Sequence, residues 1–354
     1  MRTPNTHLQS IATVVVAVLL ALAAAPEVRA QQGTTTDVSK RGTSAAAFLE
    51  LGIGTRATAM GGAFVASADD PSALYWNPAG VAALGRSSFI AERTNWVADM
   101  KLNYAGGTVD LGNLGTLGLS LTHMEMISEE PVRTIEQPEG TGELFGASSF
   151  ALGVTYAKSL TDRFAFGITP KFIREGIWDM SANAFAVDLG ILYTTPFDGL
   201  RLGASISNFG TELRMGGDNT LVLHDPEPGT GGNNNNIAAD QRTEGWDLPL
   251  LFRVGVAYPL FNTATNRLTV AVDADVPSNN YQSVNVGAEY VFMNAFSLQG
   301  GYRSLFLDGS EQSFTLGFGV QQAFLGNLLV QAGFSYADIG RLGNSTKLAL
   351  ALSF

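Results

Sequence analysis

The sequence contains no cysteine, so no disulfide can staple the fold and no thiol chemistry is available. Charge is scarce: Asp, Glu, Lys and Arg together make up 15% of the chain. Histidine occurs three times, and only His123 and His224 lie beyond the N-terminal stretch. No GxSxG, HExxH or phosphate-loop motif is present. Catalysis needs a base beside a nucleophile, or paired carboxylates, and neither can be found here. An enzyme is therefore not expected, nor is a cofactor or a metal. Basic patches are also missing and the formal net charge is −11, which argues against a nucleic-acid partner. Past the N-terminal stretch there is no long apolar run, and that excludes a bundle of membrane-spanning helices.

What is abundant is glycine, 40 residues, and phenylalanine, 21. Few charges with many glycines and aromatics suit a β-barrel that is apolar outside and small-residued inside. The chain opens with Arg2 and an apolar run, Ile11 to Ala25, followed by the small-x-small triplet Val28-Arg29-Ala30. This reads as a secretory signal peptide over residues 1–30, cleaved before Gln31.

From Ser88 onward the dominant period is two, the period of a strand with one apolar face. Phe185, Val187, Leu189, Ile191 and Tyr193 alternate with Ala184, Ala186, Asp188, Gly190 and Leu192. Leu268, Val270, Val272, Ala274 and Val276 alternate with a set that includes Thr269, Asp273 and Asp275. Val284, Val286, Ala288 and Tyr290 oppose Asn285, Gly287 and Glu289. A soluble sandwich also alternates, but its polar face carries Lys and Glu for open water. Here that face is mostly Gly, Ala, Ser, Thr and Asn, which suits a crowded lumen. Fourteen strands are expected: 88–96, 101–111, 114–124, 149–159, 162–175, 182–194, 200–209, 248–259, 266–276, 281–292, 295–303, 312–321, 328–337 and 345–354. Strands of about 9–11 residues in even number are the rule for single-chain bacterial barrels. The fold expected is all-β, a transmembrane antiparallel barrel of about 14 strands.

The connections support that count. In an outer-membrane barrel both ends lie in the periplasm, so odd-numbered connections face outward and are the longer ones. The two longest gaps, Glu125–Ser148 and Gly210–Asp247, follow the third and seventh strands. The first carries six acidic residues against Arg133, and the second seven against Arg214 and Arg242, so each has a net charge of −5. Two solvated loops explain this charge; a cation-bridged or partner-facing surface is the sharper alternative. Within the second, Pro226–Asn236 is low-complexity and reads as mobile.

Residues 31–47 read as a flexible segment and 48–87 as a plug ahead of the barrel, 88–354. The stretch Phe48 to Leu84 breaks the period of two: small residues, Gly pairs and turn dipeptides dominate. Ala57–Ser67 could form a short helix or hairpin broken at Gly61-Gly62. Asp69-Asp70-Pro71-Ser72 reads as a turn or helix N-cap, because Asp accepts backbone N–H bonds there. Asn77-Pro78 initiates a turn, and Gly80 is expected to take positive φ. The stretch is too short for its own core and too apolar to float, but a glycine-lined lumen could hold it.

The string Leu51-Gly-x-Gly-x-Arg56-Ala57, Met60-Gly61-Gly62-Ala63, Asp69-Asp70 and Trp76-Asn77-Pro78-Ala79-Gly80 resembles the entry signature of the PorV/PorQ family of the type IX secretion system. That family is related in fold to the FadL transporters. Tyr336 to Asn344, leading into the last strand, is similar to the same group. The resemblance implies a plug, or hatch, inside a fourteen-stranded barrel in the outer membrane. It implies partners among outer-membrane lipid, secreted cargo C-terminal domains and subunits of the secretion machinery. It also leaves open a FadL-like channel for hydrophobic small molecules and a structural barrel of unassigned role.

The motif residues Arg56, Gly61, Gly62, Asp69, Asp70, Asn77, Pro78 and Gly80 are read first as shaping the plug and second as lining or gating a path. Asp69 and Asp70 could instead meet a cation, although two adjacent carboxylates lack the further ligands of a calcium loop. Lys171, Asp188, Asp273, Asp275 and Glu289 are expected to face the lumen. They would form internal salt bridges to the plug, for instance with Arg56, or a selectivity lining. The last strand carries Leu348, Leu350, Leu352 and Phe354 on one face. A terminal aromatic there resembles the signal read by barrel-insertion machinery, and the strand would also close the ring against the first.

Overall fold

The computed structural model describes residues 40–229, 236–307, 309–324 and 328–354. The expected signal peptide, and much of the low-complexity tract in the second acidic loop, lie outside them. Fourteen antiparallel strands form the wall: β1 Ser88–Asn95, β2 Met100–Asp110, β3 Thr116–Met126, β4 Ala147–Ser159, β5 Phe164–Ile177, β6 Met180–Thr194, β7 Arg201–Gly210, β8 Leu251–Asn262, β9 Arg267–Pro277, β10 Ser283–Phe292, β11 Phe296–Leu305, β12 Phe314–Phe324, β13 Leu328–Asp338 and β14 Asn344–Ser353. Each pairs with its neighbours in sequence, and β14 pairs with β1 from Ser88↔Ser353 to Asn95↔Thr346. The sheet is thus a closed barrel with no free edge, the condition for spanning lipid with strands.

Side-chain direction follows the period of two. On β3, Leu117, Leu119 and Leu121 point outward and are exposed, whereas Thr116 is buried. On β14, Leu348 and Leu350 are exposed while Lys347, Ala351 and Ser353 are buried. On these strands the leucines face outward and Lys347 faces inward, the reverse of a soluble sandwich. Met293 and Asn294 between β10 and β11 both have φ of 52°, the left-handed pair that a tight hairpin turn requires.

The acidic loops fold into small ribbons. Glu130–Pro131 pairs with Leu144–Phe145 after β3. After β7, Leu221–His224 pairs with Ile237–Asp240, and Leu213–Arg214 pairs with Gly245–Trp246.

The described residues before β1, from Lys40 onward, enter the lumen. The plug contains two short helices, α1 Thr55–Ala59 and α2 Ala73–Trp76, and 3-10 turns at Ala47–Glu50 and Pro78–Ala83. Its apolar centre, with Ile53, Met60, Phe64, Val65, Trp76 and Val81, is inaccessible to solvent or nearly so. The glycines of the wall make room for it. A Cβ on Gly190 would lie 2.1 Å from Asn77 Oδ1, one on Gly203 2.4 Å from Val65 O, and one on Gly287 2.3 Å from Met60 O. These distances are far inside van der Waals contact, so at those places the Asn77 side chain and the Val65 and Met60 carbonyls of the plug lie against the wall backbone.

Candidate functional site

The plug is held by charge as well as by packing. Thr55–Ala59 is helical and points Arg56 at three carboxylates. Its Nε and Nη2 donate to Glu289 of β10 at 2.7 and 2.8 Å, a bidentate fork, and Nη1 reaches Asp69 at 2.5 Å and Asp70 at 3.3 Å. Arg201 of β7 donates to the other Asp69 oxygen at 2.9 Å. Burial alone would raise the Asp69 carboxyl, but Arg56 and Arg201 outweigh it and hold it well below the usual carboxylate range. Burial does raise Asp70, which has one arginine rather than two beside it and the Asp69 charge next door. Arg56 is itself desolvated, yet its three carboxylates push its guanidinium above the ordinary value.

Asp70 closes a local turn. Its Oδ1 accepts from the Ser72 N–H at 2.9 Å and from the Ser72 hydroxyl, and α2 starts directly after. Asn77 accepts from the Ala79 N–H at 3.1 Å, capping the 3-10 turn that opens with Pro78. Its amide nitrogen donates to Val65 O within the plug and to Ile191 O of β6, at 2.8 and 3.0 Å. Gly61 and Gly62 have φ of +69° and +81°, where a side chain would be strained. Gly80 departs from the sequence expectation, for its φ is not positive. Glycine is needed there for space: a Cβ would sit 2.1 Å from Ala68 O.

The expected lumen charges meet the plug or one another. Asp273 is buried and accepts from the N–H groups of Phe64 and Val65 at 2.6 and 2.7 Å. Lys171 pairs with Asp188 at 2.8 Å, and Asp188 also accepts from Asn208 N at 2.7 Å. Asp275 accepts from Asn285 at 2.9 Å. Glu289 is the partner of Arg56 already described. Phe354 is exposed beyond β14, with its N–H bonded to Ser87 O. His123 lies within β3, 4.0 Å from Glu125, and His224 ends an exposed ribbon strand.

Among the charged residues that sequence reasoning missed, four stand out. Arg253 of β8 is buried with its guanidinium over the Trp76 ring, 4.9 Å from the centroid. Arg201 was not singled out. Glu92 of β1 and Lys347 of β14 are buried together across the seam, 3.3 Å apart. All four occupy inward positions of their strands, so strand parity alone could have found them.

Two chambers flank the plug. The inner one, of about 340 Å³, lies at the rim that carries Ser88 and Ser353, the two ends of the barrel. Arg56, Asp69, Arg267 and Gln299 face it. The outer one, of about 410 Å³, lies at the opposite rim. Phe48, Leu51, Trp96, Met124, Leu307 and Ile339 form its apolar part, and the charged Glu50, Asp275, Arg303, Asp338 and Lys347 line it as well. Burial raises the Glu50 carboxyl, against the Asn279 hydrogen bond and the Arg303 and Arg253 charges that lower it. A concave space that sets apolar side chains beside fixed polar groups is the general form of a small-ligand site.

No protein-family model matches the chain, and no curated protein matches it in sequence. Solved structures do. The Ralstonia pickettii toluene transporter TbuX superposes with a TM-score of 0.54 at 13% identity, over 85% of this chain and 97% of that one. The CymD monoaromatic hydrocarbon channel gives 0.53 at 10% identity, covering 85% of this chain and 96% of that one. A Pseudomonas aeruginosa FadL homologue gives 0.51 at 12%, with coverage of 85% and 96%. The chain therefore has the fold of the FadL-like barrels.

Proposed function

We propose that this chain is an outer-membrane channel that admits hydrophobic small molecules, of the monoaromatic size class that its structural neighbours are named for. The observation that carries the reading is the outer chamber: a space of about 410 Å³ with a partly apolar wall above a plug, inside a barrel of the hydrocarbon-channel fold. A hydrophobic solute leaving water gains roughly 25 cal/mol per Å² of apolar surface buried, so such a space would concentrate it at the mouth. The test is growth of a host with a tight outer membrane on a limiting monoaromatic carbon source, with and without the protein. Faster uptake is expected, and Phe48→Arg should abolish the gain by charging the chamber wall. No gain with the wild-type barrel correctly assembled would count against the reading.

A second reading is a PorV-type carrier of secreted proteins. It is favoured by the N-terminal motif and by the outer ribbon after β7, which exposes Leu221, Leu223 and Ile237. Exposed apolar side chains on a paired ribbon offer a surface for a protein partner. Affinity purification of the tagged barrel from a secreting cell should then recover cargo C-terminal domains. Recovery of lipid alone would remove this reading.

A further inference from the structure

The plug does not divide the lumen evenly. On β9, Asp275 faces the outer chamber and Arg267 the inner, eight residues or roughly 26 Å of strand apart. On β13 the chamber-lining pair is Ala337 and Gly333, four residues apart. On β14 it is Lys347 and Ala349, adjacent inward positions roughly 7 Å apart. The plug shows the same thinning. Gly52 and Thr58 face the outer chamber, Gly54 and Thr55 the inner one, and Ile53 alone separates Gly52 from Gly54.

This thin place coincides with the seam where the last strand meets the first. Lys347 of β14 donates to Gly52 O, to Thr94 Oγ1 at 3.2 Å and to Glu92 Oε1 at 3.3 Å. The second Glu92 oxygen accepts from the Gly54 N–H at 2.8 Å. One ion pair thus grips the plug on both sides of Ile53. Next to it, Thr55 leans on Gly333 of β13, where an added Cβ would lie 3.2 Å from Thr55 Cβ. Lys347 and Glu92 are both buried. A buried ion pair is a poor source of net stability, because desolvation offsets most of the attraction. It is better suited to holding one of two arrangements, since breaking it leaves a charge that must find water.

The geometry points to a gate at this seam: the two chambers join where Gly52–Thr55 lifts away from β13, β14 and β1, and the Lys347–Glu92 pair is the latch. This rests on the reading of the barrel as a channel, and it places the route on the β13–β14–β1 side of the plug. The far side, where Asp273 and Glu289 fasten the plug, stays closed.

The test uses the full-length barrel reconstituted in liposomes, with arabinose as a small polar probe of the lumen. The variant Glu92→Gln/Lys347→Met removes both charges and leaves no buried ion unpaired. Its arabinose influx should exceed that of the wild type by about tenfold or more, because the closed arrangement loses the Lys347 bond to Gly52 O and the charge on the Glu92 bond to the Gly54 N–H. Thr55→Cys/Gly333→Cys, placed in the same background, puts a disulfide across the gate in a chain that has no other cysteine. Oxidation should return influx to the wild-type level, and reductant should restore it. A double variant that assembles as a heat-modifiable barrel yet shows wild-type influx overturns the gate. Influx that persists through the oxidised cross-link overturns it as well. Glu92→Gln alone is the fallback if the double variant does not assemble, with the same outcomes. Because arabinose is the probe, a wild-type barrel that fails to take up aromatic solutes would sink the proposed substrate class and leave the gate standing. Aromatic uptake undiminished by the oxidised cross-link in the wild-type background would do the opposite.

Discussion

Arg56 stands between Asp69, Asp70 and Glu289, with no more than 26% of any of these side chains exposed. Replacing it by Met would leave three carboxylates sharing the Arg201 and Arg267 charges. Breaking a buried network from one side costs about 3–5 kcal/mol. The expected outcome is a barrel that still assembles but whose plug is cleaved by protease at a rate at least an order of magnitude above wild type. Arg56→Lys should recover only part of the protection, for an ammonium cannot make the bidentate fork to Glu289. Equal protection in both variants would contradict this account. The pH dependence follows from the same residues. Asp69 is held below its unfolded value, so its contribution is present above the usual carboxylate pKa of about 3.9 and is lost as pH falls through the lower folded value. Asp70 and Glu50 are raised, so they contribute most when protonated, and what they add is lost as pH rises through their folded values. Plug protection should therefore hold on acidification to pH of about 4 and collapse only below it, measured by pulse proteolysis across a pH series. Collapse already between pH 7 and 5 would mean that Asp69 is not the controlling group.

A barrel strand is read by lipid on one side and by the plug on the other. On β3, Leu121 is at mid-strand and Leu117 is near the end that follows the short turn from β2. An arginine at the bilayer midplane costs about 2–4 kcal/mol, falling to about 0–1 near the interface. Leu121→Arg should lower the denaturation midpoint in vesicles well below that of Leu117→Arg. Equal losses for the two would place the strand at a different depth from the one its sequence position implies. The same two-sided reading explains what could be seen beforehand. All fourteen strands were legible, with ends displaced by up to three residues, as in the eighth, expected from Leu248 and found from Leu251. The period of two is unmistakable when one face meets lipid. The plug was legible as an exception to that period, but not its conformation. α1 and α2 have five and four residues, too short for a helical period to emerge, and are set by tertiary contacts such as Trp76 Nε1 to Ile53 O. Glu92 and Lys347 could have been placed in the lumen by strand parity, but their pairing with each other depends on the register between β14 and β1, which local sequence does not give.

At the scale of the whole molecule, the described plug begins at one rim of the lumen and ends at the other, winding between them. Its described beginning sits at the rim of the odd-numbered connections: Ala45 N–H bonds Asp247 O in the loop after β7, Ala46 N–H bonds Glu175 near the end of β5, and Asn279 between β9 and β10 donates to Ser44 and Glu50. Its other end enters β1 at Ser88, at the rim of the short turns. In an outer-membrane barrel the short turns face the periplasm, which would put residues 40–44 at the extracellular mouth. A plug threaded in this way cannot swing out into the periplasm as one body without drawing its own leading segment down through the lumen past Arg253 and the Asp273 bonds. Any opening must be a local rearrangement within the barrel. Threading predicts opposite accessibility for the two ends of the plug, and the cysteine-free chain makes this easy to read. Thr43 and Arg86 are both exposed. In intact cells, a membrane-impermeant maleimide should label Thr43→Cys and spare Arg86→Cys, which should react only after the outer membrane is permeabilised. Labelling of both from outside would mean that the inner rim communicates with the medium. Labelling of Arg86→Cys alone would invert the barrel, and with it the assignment of the apolar chamber to the side from which a solute arrives.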